Sequence, residues 1–361
     1  MGGFKGYDPT GTKLHALDSE TTPKRDMTSY ERYRATLEKK PVDHLPRIPI
    51  VMRFAAEYIG SDYGRFAADH KILAEANLRC AEAFGMDQLS AISDPYRETA
   101  GFGGSIEYVP NGVPICHGPL EDDEEIRLDK LTQPDPHKAD RMLDRLEGIH
   151  LMREAVGQEM SVMGWVEGPG AEAADLRGVS NFFMDLMDDE TSVGDLLDLT
   201  LETAVDFAKA QVEAGADTVG IGEAIGSQVS AETYRTLILP RTRQLVKAIV
   251  EAGAWVKLHI CGNITHLLDD LAALPIHILD LDYPVEPALA RARIGGDKVL
   301  CTNLNPTGIM QSGTPDEIRA EVRTVYDILG NPCMVNAGCE IPSGTPHNNL
   351  KALCDPVPYR E

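Results

Sequence analysis

The stretch from residue 191 to residue 263 decides the fold, and within it AGADTVGIGEA (214–224) and AGAWVKLHICGN (252–263) read alike. In each, a long amphipathic run ends at a glycine, where a helix C-terminus favours a residue free to adopt positive φ, and a short apolar run follows. The pattern predicts a helix over Thr191–Ala214 and a strand over 217–222. A second helix over Ala231–Ala252, broken near Pro240, then leads into a strand over 255–260. Working outward, the same alternation places further strands at 47–52, 88–92, 161–166, 277–281, 298–303 and 333–338. Eight strands with helices between most of them predict an α/β fold, a closed TIM (β/α)8 barrel.

Two segments depart from the repeat. Residues 1–27 are polar and read as an N-terminal arm, with helical patterning from Met27 to Lys40, so that 28–361 forms a single TIM-barrel domain. The interval from Pro95 to about Val156 is longer than one crossover needs, and GFGGSIEYVPNGVPI (101–115) predicts a β-hairpin followed by a helix, inserted after the second strand. GFGG itself reads as a hairpin turn, because neither a helix start nor a GK[ST] follows. The acidic run EDDEE (121–125) reads as a solvated loop.

Composition narrows the partners. Lys and Arg total 34 against 57 Asp and Glu, a formal charge of −23, which repels phosphate backbones and anionic lipid. Nucleic acid is excluded as an expected partner. The chain has no apolar run of the ~20 residues that span a bilayer and no signal-peptide core, so a cytoplasmic location without membrane association is expected. Seven scattered cysteines suit a reducing compartment where thiols serve metals, chemistry or packing. GxSxG and GxGxxG are both missing, which removes the hydrolase and dinucleotide readings.

The sharpest chemical signal is KLHICGN (257–263). His259 and Cys261 lie two residues apart near a predicted strand end and so project to one side. Cys339, in VNAGCEIP, closes the eighth predicted strand, which a barrel brings to the same rim as the fifth. One imidazole and two thiolates suit Zn²⁺, and three protein ligands leave the open position a catalytic metal needs. For the pair alone, a buried cysteine beside a hydrogen-bonded histidine is the better explanation; the distant Cys339 at the matching rim is what shifts the balance toward metal. Glu223, ending the fourth strand, is the candidate weak fourth ligand or nearby base, against the alternative of a helix cap or a solvent-facing acid. Cys80, Cys116, Cys301, Cys333 and Cys354 read as core or inert surface thiols.

These residues bring a resemblance into view. ERYRATLEKKPVDHLPRIPIVMRF (31–54), AISDPYRETAGFGGSIEYVPNGVP (91–114), VEGPG (166–170), AGADTVGIGEA, KLHICGN, TNLNP (302–306) and VNAGCEIPSGTPHNNLKAL (335–353) carry it. From about Thr28 to Leu353 the chain resembles the uroporphyrinogen decarboxylase superfamily, in its corrinoid-dependent, methylcobalamin:coenzyme M-like methyltransferase branch. The resemblance implies a zinc on His259, Cys261 and Cys339 that activates a thiol, and cobalamin carried by a separate corrinoid protein, since no DxHxxG motif is present. The decarboxylase branch fits less well: its arginine pair reads MRFAAEY (52–58) here, with Arg53 kept and Glu57 in the second place. A tetracarboxylate would lose one charge-assisted pair there and meet an acid.

Around the zinc, Glu223, Glu167 and Asp94 are the expected catalytic residues, and Asp282 and Asn303 the expected cofactor contacts, each with a strand-end cap as the alternative. The expected function is zinc-dependent methyl transfer between a corrinoid protein and a small molecule, favoured as a thiol. Demethylation of a methoxylated aromatic or a methylamine is the alternative. A porphyrinogen decarboxylase and a non-catalytic metal-binding barrel stand further off. A homodimer is compatible with the sequence.

Overall fold

The computed structural model describes residues 26–360. The expected arm falls outside them apart from Asp26 and Met27; the Met27 carbonyl accepts from Arg32 Nη2 at 2.9 Å, tying that end to the first helix. The regular strands are β1 Gln88–Ser90, β2 Ser105–Glu107, β3 Ile115–His117, β4 Ser161–Glu167, β5 Thr218–Gly222, β6 Trp255–Ile260, β7 Ile278–Leu281, β8 Val299–Cys301 and β9 Cys333–Met334. Seven of them form one parallel sheet in the order β1-β4-β5-β6-β7-β8-β9, and β2 pairs antiparallel with β3 as the inserted hairpin.

The first expected strand departs from expectation. Residues 47–52 form no regular strand, because Pro46 and Pro49 each remove a ladder donor and the Arg47 N–H goes to the Asp87 carboxylate at 2.8 Å. The segment still closes the ring. Arg47 bridges Val335 in parallel, Ile48 N donates to Val335 O at 2.8 Å, and Asp87 N donates to Arg47 O on the other side, also at 2.8 Å. The sheet is therefore a TIM barrel with one irregular stave.

The helices meet their predictions closely. Glu190–Glu213 and the pair before β6 end at Gly215 and Gly253, whose φ values of 115° and 94° are those a side chain would strain. The expected break at Pro240 is a π-helical turn over Tyr234–Ile238, which absorbs the missing proline donor and runs on into Leu239–Glu251. GFGG is not the hairpin turn. It follows the short helix Arg97–Gly101, and the turn lies between β2 and β3.

Helix Ser29–Leu37, started by a Thr28/Glu31 capping box, closes the N-terminal mouth of the barrel. Its Tyr33 ring lies edge-on to Trp255 at 5.9 Å, and its hydroxyl meets Thr218 Oγ1 at 2.9 Å. Higher in the barrel, Ile50, Ile92, Met163 and Trp165 form a separate apolar layer. Trp165 fits because β5 has glycines beneath it: a Cβ at Gly220 would lie 2.2 Å from the indole ring. Among the described residues, no helix is long and apolar enough to cross a membrane.

Candidate metal centre and its cavity

At the C-terminal rim the ligand atoms of His259, Cys261 and Cys339 all lie within 4.8 Å of one another. His259 ends its strand facing inward, with Nε2 3.2 Å from Cys261 Sγ. Cys339 arrives on the loop after β9, which is held in place by Gly338 N on Leu304 O at 2.8 Å. Burial alone would keep His259 neutral, but the Cys261 sulfur, Asp280 and Cys339 raise its pKa well above the usual imidazole value. The Cys339 thiol is brought down to about 4, chiefly by the hydrogen bond from Cys261, while Cys261, which gives that bond, is pushed up. The cluster thus holds a thiolate beside an imidazolium, a charge pattern in which a dication takes the place of protons.

Behind the imidazole stands Asp280, fully buried, with Oδ2 3.3 Å from His259 Nδ1, close but off the line of a good hydrogen bond. A carboxylate in that place fixes the ring so that Nε2 faces the metal position. Asn336 Nδ2 donates to Asp280 Oδ1 at 2.8 Å, and the buried Lys257 ammonium lies 2.9 Å from Oδ2, off the line of a good hydrogen bond. These partners hold the Asp280 carboxyl far below the usual range against its burial.

The three ligands open into a cavity of about 200 Å³, walled by Ile50, Met52, Ile92, Pro95 and Trp165. A recess of about 220 Å³ beside Lys39 and Cys333 belongs to the opposite face, and larger hollows of about 430 and 550 Å³ are open grooves along the outer helices. Among the described residues neither kind brings three ligand atoms together on one point, so the chemistry belongs to the smaller cavity.

Of the other expected site residues, Glu223, Glu167 and Asp94 also line this cavity, with all their oxygens engaged except Glu167 Oε2. Asp94 receives both Arg141 terminal nitrogens at 2.8 Å, and that pair overcomes burial to hold its pKa low. Glu167 Oε1 accepts from Arg97 at 2.9 Å and from the Trp165 indole at 3.0 Å, yet burial still pushes its pKa up to about 7. Glu223 caps a helix, though not the one after its own strand: it accepts from Gly170 N and Ala171 N at the start of Pro169–Arg177, at 3.1 and 2.8 Å. Asp282 and Asn303 do not line the cavity. Asp282 accepts from Gly262 N, just after Cys261, at 2.6 Å, and Asn303 donates to the Asp282 and Val285 carbonyls, so both pin rim loops.

Sequence reading missed Asp280, Lys257 and Glu340. Lys257 shares a face with His259 by the two-residue period, a visible signal, whereas the His259–Asp280 register was not visible in the chain. Glu340 follows Cys339, lines the cavity, accepts from Arg53 N at 3.1 Å and is pushed up to about 7 by burial. Glu57, in the place of the second arginine, takes Arg53 Nε at 3.0 Å and Gly344 N at 3.1 Å, so it fastens the loop behind Cys339.

Glu223 provides a pH test. Its carboxyl is raised to about 8 by burial, despite two backbone donors that favour the anion. Between an ordinary carboxyl value and about 8 the folded chain holds a proton that the unfolded chain has lost, so stability falls as pH rises through that window. Glu223→Gln removes this loss. Its melting temperature relative to wild type is expected to climb from about pH 5 to about pH 9, corresponding to at most on the order of 4 kcal/mol. A difference flat with pH would show that Glu223 is ionised throughout.

The molecule is similar along most of its length to known proteins. A methylcobamide:CoM methyltransferase of Methanosarcina mazei is 28% identical over 343 residues, covering 91% of this chain and 98% of its own. One from Methanosarcina barkeri is 28% identical over 340 residues, covering 91% and 97%. A solved methyltransferase from Methanosarcina mazei shares the fold with a TM-score of 0.80 at 24% identity, covering 91% of this chain and 97% of that one. The uroporphyrinogen decarboxylase (URO-D) model matches residues 28–358, and the chain belongs to that family.

Proposed function

We propose that this chain is a zinc-dependent methyltransferase that moves a methyl group between a corrinoid, carried by a partner protein, and a small molecule, favoured as a thiol. The observation that carries the reading is the convergence of His259, Cys261 and Cys339 on one point at the floor of an apolar cavity, with Asp280 behind the imidazole. Zn–S and Zn–N bonds of about 2.3 and 2.0 Å require ligand atoms roughly 3.3–3.8 Å apart, which donors gathered within 4.8 Å meet with small side-chain adjustments. The reaction class is supported by the relatives named for methyl transfer between a methylcobamide and CoM, which align with 91% of this chain.

When bound, zinc supplies Lewis acidity that keeps a thiol deprotonated at neutral pH or draws charge from a heteroatom losing its methyl. The rest falls to the chain. Asp280 orients His259, the two cysteines place soft donors beside it, and the Trp165 and Ile92 wall keeps water from the reacting sulfur. Glu167 and Glu340, both raised to about 7, can hold or release a proton inside the cavity. In the thiol direction the sulfur forms the new S–C bond, the thiol proton leaves, and the Co–C bond breaks with its electron pair remaining on the corrinoid. A reducing, cytoplasmic setting that keeps both thiols free is part of the proposal.

The apolar wall also favours a second reading, in which the same site demethylates a methoxylated aromatic toward the corrinoid. Elemental analysis together with methylcobalamin demethylation separates them. The first reading expects about one zinc per chain and bleaching of methylcobalamin that depends on added thiol. Zinc without thiol-dependent bleaching would transfer the case to the demethylase, and zinc-free protein would overturn both.

A further inference from the structure

We propose that the small molecule taken by this cavity carries no negative charge, and that the site discriminates against anionic thiols such as 2-mercaptoethanesulfonate, the coenzyme M of its relatives' names. The inference rests on the methyl-transfer reading and adds the substrate class. Among the described residues no lining side chain is a lysine or arginine, whereas four are acids: Asp94, Glu167, Glu223 and Glu340.

The arginines that reach those acids do not present their guanidinium groups to the cavity. Arg141 gives both terminal nitrogens to Asp94, and Arg97 pairs with Glu167. Arg53 offers its backbone N–H to Glu340 and its Nε to Glu57, and its guanidinium, about a third exposed, lies outside the cavity lining. Arg97 retains two unpartnered nitrogens, but its side chain is 0% exposed, so they are sealed from the cavity. Both oxygens of Asp94 and Glu223 and one each of Glu167 and Glu340 are held by these partners and by the helix start at Gly170 and Ala171, and the surface met by a ligand is mostly the carbon of Ile50, Met52, Ile92, Pro95 and Trp165.

A sulfonate two carbons from the reacting sulfur would be stripped of water there without a cationic side chain to replace it. An ethyl tail on the same sulfur loses nothing polar and gains apolar burial. Charge is therefore the discriminating property, and two thiols of equal chain length isolate it.

Zinc-loaded protein with methylcobalamin is expected to turn over ethanethiol with kcat/KM at least about a hundredfold above that for 2-mercaptoethanesulfonate. In cobalt(II)-substituted protein, the thiolate-to-metal charge-transfer band is expected to saturate at correspondingly lower ethanethiol concentration. Because the free thiols differ in basicity, the decisive comparison is with Met52→Lys, which brings a flexible ammonium to the half-buried edge of the cavity. That variant is expected to shift the ratio toward the sulfonate at least tenfold. A sulfonate preference in wild type, or an unmoved ratio in a folded Met52→Lys, would overturn the charge selectivity while leaving methyl transfer standing. Binding and turnover of neither thiol would overturn the thiol reading and this inference with it.

Discussion

Cys261→Ser and His259→Ala are each expected to release zinc during purification and to lower corrinoid-dependent methyl transfer at least about a thousandfold. Loss of an outer-shell partner alone typically costs a metal site 10–100-fold, and these changes remove one of three direct donors. Serine replaces the thiolate with a hydroxyl that stays protonated at neutral pH, so Cys339 and His259 are left as two donors too few to fill a tetrahedral shell. The effect should be confined to the site. Cys261 is only half-buried at the rim, beyond the packed layer of Ile50, Ile92, Met163 and Trp165, so circular dichroism and melting of the metal-free variant should match metal-free wild type. Cys116→Ser, on the inserted hairpin, serves as the control with unchanged zinc. Stoichiometric zinc retained by both site variants would move the metal elsewhere and remove the basis of the proposed function.

That these three residues meet was legible because barrels impose a shared rim on strand ends, so an interval of 78 residues between Cys261 and Cys339 became a distance of a few ångströms. Long helices with strong periodicity and glycine stops, such as Glu190–Glu213, were legible for the same local reason. The first stave was not, since a run of alternating apolar residues reads as a strand whatever its hydrogen bonds do. Pro46, Pro49 and the claim of Asp87 on the Arg47 N–H decide otherwise. The roles of Asp282 and Asn303 failed to show because a strand-end polar residue looks the same in sequence whether it faces the cavity or pins a loop. Glu223 is subtler still: it faces the cavity, but its oxygens serve the helix that follows β4, a partner 52 residues away.

The pair behind His259 leads to the second large effect. Lys257 and Asp280 are both fully buried, joined across the β6–β7 ladder at 2.9 Å. Asp280→Asn strands the ammonium without a counter-charge and turns an amide N–H₂ toward Lys257 or Asn336, both donors. Breaking a buried pair from one side costs about 3–5 kcal/mol, so the variant should melt well below wild type. It should also bind zinc about 10–100-fold more weakly, because the imidazole loses the carboxylate that stands 3.3 Å behind Nδ1. Lys257→Met combined with Asp280→Asn separates the two consequences. Removing both charges leaves a methionine that packs and an amide that can still accept from Asn336, so stability should return to within about 1–2 kcal/mol of wild type. Zinc affinity should remain low, since neither substitution restores the carboxylate behind His259. Denaturant unfolding of the three proteins, each without metal, and competition for zinc against a chelator test the two arms independently. A double variant that regained zinc affinity along with stability would mean that Asp280 acts only through packing, and that the imidazole needs no carboxylate to face the metal.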